Sequence, residues 1–204
     1  MKLAGWITGL LALLLALFST VNAQHLNAEN QYDRFQFELN GGASMATYEL
    51  GGANLNTGGG FEALFHYRIK RNIGTYAGWG WNHFSADQSF AGENMDFEET
   101  GYIFGLQYNA PLSFIPFNYY LRAGGLYNHI EIENSKGDIV EDSGHGLGWQ
   151  VAGGLQMPLS NKWILQPGFK FNALSRQLKT DASYGNKQLD LNYLTFRIGF
   201  ARSF

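Results

Sequence analysis

The chain has 204 residues, with 14 Lys and Arg against 17 Asp and Glu, a formal net charge of −3, 26 glycines and no cysteine. A charged content of 15% beside 16% aromatics excludes a disordered chain, which is rich in charge and short of aromatics, and the missing basic excess argues against a nucleic-acid binder. Without cysteine there is no disulfide framework, no thiolate metal site and no cysteine nucleophile.

Residues 1–23 read as a secretory signal peptide. Lys2 gives a positive start, Leu10 to Phe18 is a short apolar run, and Ser19-Thr20-Val21-Asn22-Ala23 ends in a small-x-small pattern. Gly5, Thr8 and Gly9 leave the run short of the roughly 20 apolar residues that a spanning helix needs, so cleavage after Ala23 is expected. Residues 24–32 then read as a polar N-terminal arm, and residues 33–204 are expected to form a single domain.

From Phe35 onward the pattern has a period of two, which is that of a strand. Phe35, Phe37 and Leu39 alternate with Gln36, Glu38 and Asn40. The same alternation carries Phe61 to Ile69, Thr75 to Trp81 and Tyr102 to Tyr108, and then Phe117 to Ala123, Leu147 to Leu155, Trp163 to Phe171 and Leu194 to Phe204. Eight strands and no helix are predicted. Short turns fall at Lys70 to Asn72, Pro111 to Pro116 and Pro158 to Asn161. Longer polar stretches fall near Glu49 to Thr57, Ser85 to Asp96, Glu133 to Gly144 and Leu178 to Lys187. Long and short connections alternate, so all long loops share one end of an up-and-down meander and both termini share the other. That is the plan of a transmembrane barrel with short periplasmic turns.

Alternation alone does not separate a soluble lipocalin-like barrel, apolar inside, from a membrane barrel, apolar outside. The apolar face decides for the membrane. It is almost free of charge at the strand centres, and its ends carry Tyr48, Tyr67, Trp81, Tyr108, Tyr119, Tyr127 and Trp163, residues that collect at membrane interfaces. The other face holds Gly, Asn, Gln, Thr and isolated charges, which suits a narrow, filled lumen. The fold class is therefore all-β, an eight-stranded antiparallel up-and-down transmembrane β-barrel.

The last strand, Leu194 to Phe204, ends on an aromatic residue. In this, and in its whole succession of strands and loops, the chain resembles the small outer-membrane β-barrels, the group of the OmpA membrane domain and OmpX. The resemblance implies that Phe200 and Phe204 form an assembly signal read by the barrel-assembly machinery. Arg202 departs from it, lying on the lipid-side parity. At the membrane edge such a charge costs about 0–1 kcal/mol. With nothing after Phe204, no peptidoglycan-binding module is expected.

The inward parity collects Glu38, Glu62 and Glu99 with Arg68, Arg122, Lys170 and Arg197. Such charges need partners in a narrow lumen. They are expected to plug the barrel as salt bridges, with a partner-swapping gate as the alternative. Of the five histidines His25, His66, His83, His129 and His145, the last three lie toward the loop end, but no metal site and no cofactor are expected. Gly58 to Gly60 and Gly144 to Gly148 lack the following helix that a phosphate loop needs, so close packing or loop-to-strand transitions explain them. A barrel hydrolase would need Ser175 to meet a histidine such as His145, and a lipid A acyltransferase would have an amphipathic helix before its first strand. No enzyme is expected.

The outer loops carry Asp87, Glu93, Asp96, Glu98, Asp138, Glu141 and Asp142, with Lys136 among few cations. Solvated repulsion is the simplest reading, with divalent bridging to lipopolysaccharide or a protein partner as alternatives. The expectation is an integral envelope barrel, monomeric, surrounded by outer-membrane lipid and lipopolysaccharide. It would serve envelope integrity or surface interaction through its loops, with a narrow ion or solute pore as the alternative. A lipid-modifying enzyme and a soluble lipocalin-like binder rank lower.

Overall fold

A computed structural model describes residues 34–178 and 187–204. Residues 1–23, read as a signal peptide, residues 24–32, read as an N-terminal arm, and most of the stretch from Leu178 to Lys187 lie outside the described residues. The strands are β1 (Phe35–Ala46), β2 (Gly58–Lys70), β3 (Ile73–Ser89), β4 (Gly92–Pro111), β5 (Asn118–Glu133), β6 (Ile139–Asp142), β7 (Gly146–Pro158), β8 (Trp163–Leu178) and β9 (Lys187–Ser203). Eight of them close an antiparallel ring, in which β7 follows β5 and β1 returns to pair with β9 from Gln36↔Ser203 to Ala46↔Tyr193. Over the length that these eight share, closure leaves no edge strand.

Two stretches differ from the sequence expectation. The ninth strand, β6, sits inside the stretch read as a long loop from Glu133 to Gly144. It pairs with the top of β5 (Glu131↔Asp142, Ile132↔Glu141), where β7 does not reach. Ser85 to Asp96, also read as loop, is nearly all strand: β3 runs to Ser89 and β4 restarts at Gly92.

Both differences have one cause, a change of phase along the strands. In β4 the outward residues are Tyr102, Phe104, Leu106 and Tyr108, on even numbers. Nearer the loops, the apolar residues Met95 and Phe97 fall on odd numbers and are buried inside. β5 changes between Tyr127, outside, and Ile130, inside. β9 changes between Leu191, inside, and Phe196, outside. Toward the turn end the wall is apolar outside and polar inside. Toward the loop end it is polar outside and apolar inside, like a soluble barrel. The sides swap because the medium outside swaps, from hydrocarbon to water.

Inside the ring, side chains interlock with bare backbone. A Cβ on Gly105 or Gly124 would lie 2.6 Å from the Tyr76 hydroxyl, and one on Gly124 would lie 2.1 Å from the Phe104 carbonyl oxygen. Only glycine admits that approach. At the turn end, the Leu112 N–H donates to the Phe117 carbonyl (2.9 Å) and leaves Phe114 80% exposed.

Candidate functional site

The inward parity of eight strands converges on a lumen filled in two tiers. The lower tier is ionic. Arg122 on β5 donates to both carboxylate oxygens of Glu38 on β1, Nη1 to Oε1 at 3.2 Å and Nη2 to Oε2 at 2.5 Å, the fork geometry that suits a carboxylate. The same guanidinium donates through Nε to Gln107 and through Nη2 to Gln166 (3.2 Å), and lies 4.6 Å from the Tyr120 ring centroid. His66 Nε2 stands 3.1 Å from Glu38. Glu62 on β2 accepts from Lys170 on β8 and from Arg197 Nη1 on β9 (2.8 Å). Glu99 on β4 accepts from the Tyr193 hydroxyl and from Asn128 Nδ2.

Six of the seven charges assigned to the lumen, Glu38, Glu62, Glu99, Arg122, Lys170 and Arg197, are buried and drawn into these groups. The seventh, Arg68, is exposed near the turn end of β2 and lies outside the buried set. Its inward parity is undone by position: β2 ends two residues later, where the lumen opens to solvent. The neutral partners His66, Gln107, Gln166, Tyr120 and Tyr193 escaped the charge-based reading, although each has inward parity. A cavity of about 20 Å³ lies beside Glu62 and Glu99, lined also by Asn82, Lys170 and Tyr193, room for about one water.

The upper tier is apolar. Leu50 and Ala53 from the first loop, Phe84, Phe97, Ile130, Ile132, Leu178 and Leu189 pack as one buried cluster under the loops. Phe84 meets Tyr193 edge-on at 5.3 Å, joining the tiers. The inward face expected from the sequence is one of small polar residues and isolated charges, and the loop-end half departs from that. The strands there stand in water, so their inner face becomes a hydrophobic core.

The outer face of that upper wall is charged. Adjacent strands line up His83↔Glu98↔Glu131↔Asp142 in one row, with Asp96↔Glu133 above it and Thr100↔His129 below. Trp81 Nε1 donates to Glu98 Oε2 (2.7 Å), and His83 Nε2 is 3.3 Å from Asp96. His129 Nδ1 lies 3.0 Å from Asp142 Oδ1 and 3.7 Å from Glu131 Oε1. Burial, the largest influence on Asp142, raises its pKa. The Gly144 N–H, the hydrogen bond from His129 and the nearby charge of His129 and His145 outweigh it and hold the carboxyl below its ordinary value. His83, His129 and His145, all toward the loop end, do not gather into one set. The structure stacks His145 on His129 at 4.2 Å and gives His83 to Asp96.

Ser175 donates to Asp190 Oδ1 (2.6 Å) and accepts from Gln188. Its neighbours among the described residues include no histidine contact, and His145 packs between His129 and Tyr127. The Ser175 and His145 pairing that a hydrolase would require is not formed.

Residues 10–204 match the family model described as the outer membrane protein beta-barrel domain. Among solved structures, the chain is similar to neisserial surface protein A, with a TM-score of 0.64 and 14% identity over 83% of this chain and 97% of that one. OprG from Pseudomonas aeruginosa gives a TM-score of 0.55 at 14% identity over 84% and 97% of the two chains. Outer membrane protein W of E. coli gives 0.55 at 14% over 85% and 100%. No curated protein matches the sequence.

Proposed function

The chain belongs to the outer membrane protein beta-barrel family, and from that premise we propose that it is a closed, non-conducting wall element of the cell outer membrane that acts through its external face. The observation that carries this reading is the double filling of the lumen. A conducting path would have to pass the Glu38–Arg122 and Glu62–Lys170–Arg197 groups and then the apolar cluster around Phe84 and Phe97. Opening the first tier leaves buried charges without partners, a cost of about 3–5 kcal/mol for each broken pair. Opening the second exposes a hydrophobic core to water.

With its interior occupied, the barrel has its external strands and loops left for recognition, and its contribution to envelope integrity comes from the intact wall. Lipopolysaccharide is the surrounding partner this reading implies, and the barrel-assembly machinery is the one that inserts it. Residues 24–204, refolded and inserted into planar bilayers, are expected to give silent traces. Defined, repeatable conductance steps would overturn the proposal and make the ionic tier a gate.

A further inference from the structure

We infer that His129, Glu131 and Asp142 form a site for a divalent transition-metal ion on the outward face of the barrel, just above the hydrocarbon layer. The inference stands apart from the closed-lumen proposal, because these side chains point away from the lumen. Three features carry it.

The first is donor geometry. The imidazole nitrogen and the two carboxylate oxygens all lie within 4.8 Å of one another, with Nδ1 3.0 Å from Asp142 and 3.7 Å from Glu131. Bonds of about 2.0–2.2 Å from a tetrahedral ion place neighbouring donors about 3.4 Å apart, so a metal fits with small side-chain shifts. One nitrogen and two oxygens leave a fourth position for water.

The second is the imidazole itself. His129 is 8% exposed, held by ring stacking on His145 at 4.2 Å and 17°. The stacking fixes which way its nitrogen points, as a ligand requires. A nitrogen donor also selects for Zn²⁺-like ions over Mg²⁺ or Ca²⁺, which take oxygen.

The third is the register. Cross-strand neighbours of like charge are destabilising, yet the pairing sets Glu98 opposite Glu131, Glu131 opposite Asp142 and Asp96 opposite Glu133. Glu98, Glu131 and Glu133 also bring their oxygens within 4.8 Å of one another. No lysine or arginine occupies these rows on the outward parity. A bound cation resolves a repulsion that the sheet itself builds. The Trp79↔Tyr102↔Tyr127 row lies two residues below His129, so the site stands about 7 Å along the strand beyond the aromatic belt, within headgroup depth.

Titrating the refolded, detergent-solubilised protein with ZnCl₂ by calorimetry tests the assignment, with MgCl₂ and CaCl₂ as parallel probes. Expected is saturable binding of one Zn²⁺ per barrel, weakened at least tenfold in both His129→Ala and Asp142→Asn, while His83→Ala binds as the parent does. The thermal unfolding temperature of the parent should rise with ZnCl₂, and that of His129→Ala should not. Heat-modifiable gel mobility certifies that each variant is folded. Absence of saturable Zn²⁺ binding in the parent, or binding unchanged in both variants, overturns the site. Mg²⁺ or Ca²⁺ binding as tight as Zn²⁺ overturns the transition-metal assignment in favour of an oxygen-only site.

Discussion

At the scale of single residues, the lower lumen is held by pairs whose members arrive from strands that are not neighbours in the ring. Glu38 and Arg122 are 84 positions apart in sequence, and Glu62 and Arg197 are 135 apart, so each pair forms only once the barrel closes. Arg122→Ala leaves the Glu38 carboxylate buried beside His66 and without its fork. Urea unfolding of the refolded variant should show a loss of about 3–5 kcal/mol. Replacing both partners with methionine removes the buried charge along with its counter-charge, and the double variant should unfold at a higher urea concentration than Arg122→Ala. If the single variant is as stable as the parent, the pair is not holding the barrel. The charges of this tier were legible in the sequence because inward parity marks them. Their pairing was not, since alternation says which face a residue takes and nothing about its height opposite another strand. Arg68 shows the same limit, having the right parity at the wrong height.

At the scale of elements, the informative event is the change of phase in β3, β4, β5, β8 and β9. The strands of the membrane segment were readable because their apolar residues recur at a fixed parity, with Tyr and Trp at the ends. Above that segment Phe84, Phe97, Ile130 and Leu189 recur at the opposite parity. A reading that holds one parity along the chain leaves them out of its strands. β6 was hidden for a further reason: four residues, Ile139–Asp142, are too few for a period to declare itself, and the strand exists because the top of β5 lacks a partner. The upper tier should stand or fall by packing alone. Phe97→Ala, fully buried in the parent, is expected to cost about 3–5 kcal/mol and to speed proteolysis of the loops. Planar bilayers should stay silent with this variant, because the ionic tier still closes the lumen. Channel activity in Phe97→Ala would mean that the apolar tier is the real seal.

At the scale of the whole molecule, the barrel is two barrels end to end, one built for hydrocarbon and one for water, sharing a single set of strands. The exchange of faces occurs at the Trp79, Tyr102 and Tyr127 row, with Glu98, Glu131 and Asp190 outside beyond it and Phe104, Leu121 and Phe196 outside below it. Such a molecule carries its own waterline. Rising would wet an apolar band, and sinking would carry carboxylates into the acyl chains, so neither direction offers slack. When bilayer thickness changes, the lipid must stretch or thin around the protein, at a modest cost per ångström. Quenching of tryptophan fluorescence by lipids brominated at a fixed distance below the headgroup should therefore keep the outer belt at constant depth across a series of acyl-chain lengths. A belt that drifts with chain length would show a barrel free to float. Where the outer membrane thins or thickens, the strain is handed to its neighbours, and the protein becomes a fixed gauge against which the surrounding lipid is set.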